Sequence, residues 1–223
     1  QGAGIRDSVP LDVKQMLDSM GSSTHQRNQK VIQRSLWCAW QNGLLKTPQK
    51  EEEPVTIRVY LPNARMENTD AEVAKLRLLR NENVAELLGI QNSSSHPTPA
   101  FVFRGDLTPL SRFLKSRLSS VKENIPRILH EILLALEYVH KKKMVHMELN
   151  QDTIMIDENS IVRLCGACKP KMAALPPNTA IVNTGDFVYL APEVLQGELY
   201  ISTADVYAFG LLVFEIFIDL PFK

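Results

Sequence analysis

Across 223 residues, 25 Lys and Arg balance 25 Asp and Glu, and 44% of positions are hydrophobic, which is chain and apolar material enough for one or two buried cores. A formal net charge of zero excludes the broad positive field of a dedicated nucleic-acid binder or a polybasic membrane-surface protein. Three cysteines, Cys38, Cys165 and Cys168, are too sparse to staple a small secreted fold, so a reducing, cytoplasmic setting is expected. The longest apolar run, 207–220, holds Glu215 and Asp219 and is shorter than the roughly 20 residues of a membrane span. With Gln1 first and no basic, apolar leader behind it, the chain reads as a piece of a longer protein.

In chain order, Leu11, Val13, Met16, Leu17 and Met20 recur near a helical period and predict a short helix before a polar loop over 21–30. Residues 31–43 alternate loosely, hold Trp37 and Trp40, and carry Asn42-Gly43 as a turn signal. Residues 55–61 are β-branched between Pro54 and Pro62, so two or three strands are expected over 31–61, joined by the polar stretch 46–53. Val73, Leu76 and Leu79 put one apolar face on a helix over 70–80, and 84–90 and 100–103 read as short strands. Apolar positions 125, 128, 129, 132, 133, 136 and 139 keep the i, i+3, i+4 rhythm of a long core helix over 125–140. Lys141-Lys142-Lys143 then places cations where a helix C-terminus favours them. Strands over 153–156 and 160–164 flank an Asp157-Glu158-Asn159 turn, and 203–218 reads as a second apolar helix.

A small sheet with one helix, followed by a helical half holding a hairpin, is an α+β two-lobe order. Inside it stand Val55-Thr56-Ile57-Arg58, Glu72, His146-Met147-Glu148-Leu149-Asn150, Ala191-Pro192-Glu193 and Asp205-Val206-Tyr207-Ala208-Phe209-Gly210. In order and near spacing these are landmarks of the protein kinase superfamily, which the chain resembles from about 31 to 223. The wording of the last third is most similar to the tyrosine-kinase-like and receptor-interacting branch. The resemblance implies an N-terminal extension over 1–30, a small β-rich lobe over 31–103, and a helical lobe over 104–223 that is cut short after the apolar helix at 203–218. His146, Ala191, Pro192, Glu193 and Asp205 would be structural landmarks of that fold. Val55, Thr56, Arg58, Glu72, Phe103, Thr153 and Gly166 would stand at the nucleotide pocket.

Phosphoryl transfer makes demands on those positions that this sequence does not meet. The family cradles phosphates with a glycine-rich loop, yet no glycine lies between Gly21 and Gly43, and the corresponding stretch 27–35 is bulky and polar. Arg58 replaces the phosphate-touching lysine; its planar fork suits a carboxylate pair with Glu72, although Thr69-Asp70-Ala71-Glu72 also fits a capping box. Glu148 stands where the family has its catalytic aspartate, and its extra methylene displaces the carboxylate by about a bond length. In the family Met147 would replace the arginine that reads a phosphorylated activation segment, and the residue at His146 packs beneath the site. Thr153 and Gly166 fall on the two metal-ligand positions and supply no carboxylate, while Ala167 replaces the phenylalanine beside the second. Asp186 occupies a threonine position near the base, and Thr179 and Thr184 lie in the activation-segment region with no arginine reader in the sequence.

The expected function is therefore a pseudokinase, a scaffold or allosteric regulator for an unidentified protein partner, with no nucleic-acid partner and no membrane span. No catalytic residue is intact, no metal is held, and no cofactor is expected beyond ATP bound without Mg²⁺. Two other readings compete: a weak or atypical protein kinase using Glu148 as base, and a redox or metal switch at Cys165 and Cys168. Cys165-Gly166-Ala167-Cys168 lacks a second ligand pair at metal spacing, and Lys169-Pro170 opposes the helix that a thioredoxin-like motif requires.

Overall fold

The structure, a computed structural model, describes residues 31–34, 38–46, 52–60, 69–93, 96–116, 122–166, 169–170 and 189–218. The helix expected over 11–20 lies outside them. Strands β1 (Val31–Arg34), β2 (Cys38–Lys46), β3 (Glu52–Tyr60), β4 (Leu87–Ser93) and β5 (His96–Arg104) form one antiparallel sheet in the order β1-β2-β3-β5-β4. Because strand side chains alternate between faces, the register decides which residues meet. Trp40, Arg58 and Phe101 form one cross-strand row, and Asn42, Thr56 and Phe103 form the next. These rows share the face whose Trp40, Phe101 and Phe103 join the main core; the other face carries Leu45, Val55, Ile57, Ala100 and Val102 in a second cluster.

Asn42-Gly43 does not turn the chain. Both residues lie within β2, opposite Thr56 and Val55, and the strand runs on to Lys46. Asn42 has polar partners in place, its amide donating to Asp106 and its Oδ1 lying 3.1 Å from the Thr56 hydroxyl oxygen, so its polar side chain does not oblige the strand to end. Helix α1 (Thr69–Leu76) is shorter than the apolar spacing suggests. Beyond it the bonds tighten to Leu78 N–H on Lys75 O and Leu79 N–H on Leu76 O, which keeps Leu79 buried and turns Leu78 outward. The strand expected over 84–90 begins only at Leu87. Val84 instead forms a parallel bridge with Leu164, and Ala85 N–H donates to Leu164 O at 3.1 Å, tying the sheet lobe to the helical one.

The helical half holds α2 (Leu110–Ser116), a 3-10 turn (Lys122–Asn124), α3 (Ile125–Lys141), α4 (Pro192–Leu195) and α5 (Ser202–Ile218). Between them, β6 (Thr108–Pro109), β8 (Ile154–Ile156) and β9 (Val162–Leu164) make a small sheet, and β7 (Met144–Val145) pairs with β10 (Lys169–Pro170). The β8–β9 turn is built by Asp157, whose Oδ1 accepts the N–H groups of Asn159 and Ile161, both at 2.9 Å. Ile128, Ile132, Ala135, Leu136 and Val139 bury the inner stripe of α3. The lysines at its end are engaged locally: Lys141 pairs with Glu137 at 2.7 Å and Lys142 lies over the Tyr138 ring.

One apolar cluster runs from Trp40 and Phe101 through Leu107 to Ile132, Leu149, Ile154 and Leu212, so the lobes share a core. This is the two-lobe α+β fold that the sequence predicts. No described helix is long and apolar enough to cross a membrane.

Candidate catalytic cleft

Loop 146–153 follows β7 and is anchored from α5 by Asp205, which is fully buried. Asp205 Oδ2 accepts from His146 N–H at 2.9 Å and meets His140 Nε2 at 2.8 Å; Oδ1 accepts from Met147 N–H at 3.1 Å and the Tyr200 hydroxyl at 2.9 Å. Burial pushes the Asp205 carboxyl up, but the His140 bond, neighbouring His146 and the two backbone N–H bonds outweigh it and hold the group below the usual carboxylate range. Burial, then the Asp205 carboxylate, pushes the Tyr200 phenol far up. Met147 sits at φ 68°, a left-handed conformation that the Asp205 bond to its N–H helps to fix.

His146 is fully buried. Its Nδ1 accepts from Glu148 N–H and its Nε2 donates to Cys165 O, both at 3.3 Å, which selects the neutral tautomer protonated at Nε2. Burial pushes the imidazole below its ordinary value and Arg58 adds to the effect, against Asp205, Glu148 and the Cys165 carbonyl. Gly166 lies against this ring. A Cβ placed there would come within 2.6 Å of His146 Cε1 and closer still to Nε2, so the imidazole fills the space in which any side chain at 166 would begin.

Thr153, 3% exposed, donates its hydroxyl to Glu148 O and accepts from Asn150 N–H at 3.2 Å, while Asn150 Oδ1 takes the N–H groups of Asp152 and Thr153 at 2.8 and 3.0 Å. The loop is thus closed by its own side chains. Across the cleft Arg58, 0% exposed, lies over the rings of Phe101 and Trp40 at 5.0 and 5.7 Å and directs Nη1 to Glu148 Oε2 at 3.9 Å. Glu72 lies in α1, but its side chain is outside the described residues, and so are both roles expected of it. The Arg58–Glu148 pair is the contact that spacing did not suggest.

Thr56 is also fully buried. Its hydroxyl donates toward Gly105 O at 2.9 Å and accepts from Leu107 N–H at 2.9 Å, and Gly105 N–H reaches Pro54 O at 2.9 Å. Gly105 can double the chain back onto β3 because it adopts φ +93°. The segment joining the lobes is therefore bonded directly onto the strand that carries Arg58. Phe103 lies beside Thr56 in register, whereas Val55 is on the opposite face in the second cluster and does not join them. Ala191 packs with Val145, Val194, Tyr200 and Ala204, Pro192 opens α4, and Glu193 stands in its first turn. Cys165 is 1% exposed. Ala167, Cys168, Thr179, Thr184 and Asp186 lie outside the described residues. Among those described, no group of His, Cys, Asp and Glu converges as a metal cluster.

Sequence reading misses Trp40, Asn42 and Phe101, whose roles depend on register, His140, which reaches Asp205 only once α3 and α5 have packed, and Tyr200, which bonds Asp205 from just before α5. The family model for the protein kinase domain matches residues 46–223. The chain belongs to the protein kinase family. It is 26% identical over 67% of its length to the serine/threonine-protein kinase TIO of Arabidopsis thaliana. It is 29% identical over 67% of its length to the MAP kinase kinase MKK1/SSP32 of Saccharomyces cerevisiae, and 27% identical over 66% to the mitogen-activated protein kinase kinase kinase dlk-1 of Caenorhabditis elegans. This kinase-family chain spans 11%, 32% and 16% of the lengths of those three proteins.

Proposed function

We propose that this chain is a pseudokinase domain, which acts on protein partners as a scaffold or allosteric regulator and does not transfer phosphate. The observation that carries this reading is the packing at Gly166, where the His146 ring takes the room that a metal-binding carboxylate would need. Mg²⁺ calls for hard oxygen donors in near-octahedral array. Gly166 has no side chain and the Thr153 hydroxyl is spent on Glu148 O, so the donor set does not fit the ion.

The base-binding edge supports the same reading. A planar base entering between β3 and the segment 105–107 would break the bonds that Thr56 makes to Gly105 and Leu107, leaving buried polar groups without partners. Any nucleotide held here is held without metal. Thermal unfolding with ATP or ADP, each with and without Mg²⁺, tests the proposal. A ligand at a hundred times its dissociation constant adds about 2.7 kcal/mol, a readily visible rise in midpoint. No magnesium-dependent rise is expected, and one would overturn the reading.

A second reading has two observations of its own. Glu148 keeps a carboxylate that is 30% exposed beside the loop, and the relatives are named as kinases. A weak kinase with Glu148 as base would show magnesium-dependent phosphate incorporation that disappears in Glu148→Ala. The thiol switch is less favoured, because Cys165 is buried and a reactive thiolate needs solvent access.

A further inference from the structure

We propose that the Arg58–Glu148 ion pair is a latch that holds the sheet lobe closed on loop 146–153, so that closure of the cleft needs no ligand; this rests on the reading of the cleft as one without a magnesium nucleotide. Both ends of the pair are fixed by their own lobes. Arg58 stands between Trp40 and Phe101 in a single cross-strand row, so the sheet register sets where the guanidinium lies. Glu148 is pinned through its N–H on His146 Nδ1 and its carbonyl under the Thr153 hydroxyl, and the loop is pinned in turn by Asp205 of α5. The sheet and the loop cannot part at this point without parting the charges.

The electrostatics favour the closed state on both counts. Arg58 is fully buried, and a buried guanidinium is tolerated only while opposite charge and ring faces compensate it. At 3.9 Å the pair is a through-space attraction and not a hydrogen bond, so it tolerates small rotations; its energy collapses when the cleft widens enough to admit water between the charges. The Val84–Leu164 bridge and the Thr56 bonds to Gly105 and Leu107 tie the lobes elsewhere. Arg58–Glu148 is the ion pair that closes the sheet onto the loop.

Hydrogen–deuterium exchange on the full 223-residue chain tests the latch, using Glu148→Gln, Arg58→Met and the double variant. In Glu148→Gln, amides of 55–60 and 146–153 are expected to exchange about tenfold faster, equal to roughly 1.4 kcal/mol of lost closure, while 128–139 in α3 keep wild-type protection. Arg58→Met keeps an apolar side chain between the rings and is expected to loosen the same two segments. The double variant should be no looser than either single change, because a latch can be lost only once. Additive effects, an equal rise in α3, or no change in Glu148→Gln would overturn the latch. A fourth arm adds ATP and Mg²⁺ to the wild-type chain: protection gained there would overturn the reading of the cleft, while the latch would still be judged by the variant cycle.

Discussion

A Cβ on Gly166 would meet the imidazole of His146, a ring held at both nitrogens and fully buried, so the clash cannot be relieved by swinging a flexible side chain aside. Gly166→Ala is expected to destabilise the chain by about 1–3 kcal/mol in urea unfolding, the range of overpacking in a filled core. His146→Ala in the same chain should recover part of the loss specific to Gly166→Ala. Restoring the carboxylate alone, by Gly166→Asp, should not confer magnesium affinity in a titration followed by calorimetry. His146 also sets a pH dependence. Its folded-state value is lowered, so below the unfolded value of about 6.5 the unfolded chain takes up a proton that the folded chain refuses. Stability should therefore fall on acidification from pH 6.5 toward the folded value, by at most about 1.4 kcal/mol per pH unit, and the slope should flatten in His146→Gln. Asp205 acts in a lower window: its contribution is present above about pH 3.9 and is lost as pH falls through its depressed folded value.

Two elements are held by single side chains. Asp205 joins α5 to the start of loop 146–153 and to Tyr200 and His140, so Asp205→Ala strands donors on four other residues, among them the fully buried His146 and Tyr200. A loss of about 3–5 kcal/mol is expected, measured by chemical unfolding, with faster amide exchange at 146 and 147. The segment after β5 depends in the same way on Thr56. Thr56→Val keeps the shape and deletes the hydroxyl, leaving Leu107 N–H without its acceptor; about 1–3 kcal/mol should be lost and Thr56→Ser should restore most of it. The elements themselves were readable where periodicity was long, as in α3 and α5. Boundaries were less so: α1 ends at Leu76 because a tighter turn keeps Leu79 inside, and β2 passes through Asn42-Gly43 because its partner strand continues.

At the scale of the molecule, the lobes share one apolar cluster that passes through Leu107, which is 1% exposed. A shared core implies cooperative unfolding. Trp40 in the sheet and the helices of the other lobe should report the same midpoint, by fluorescence and far-ultraviolet dichroism respectively. Leu107→Ala should lower both together by about 2–5 kcal/mol. Separate midpoints would show that the lobes unfold as independent units.

Residue types and their order determined the family. A glycine at 166 and a threonine at 153 carry no carboxylate wherever they lie, and a glutamate at 148 keeps one, because a side chain's donors and acceptors are a property of its covalent structure. Periodicity likewise determined the long helices and the β-rich first lobe, since a single face must be buried at a fixed repeat. Only the tertiary structure decided what surrounds these positions. That Arg58 faces Glu148, that His146 fills the space above Gly166, and that Thr56 bonds the connecting segment are contacts between residues 20 to 90 positions apart. They exist only once strand register and lobe packing have set distances of a few ångströms, and no local pattern encodes those.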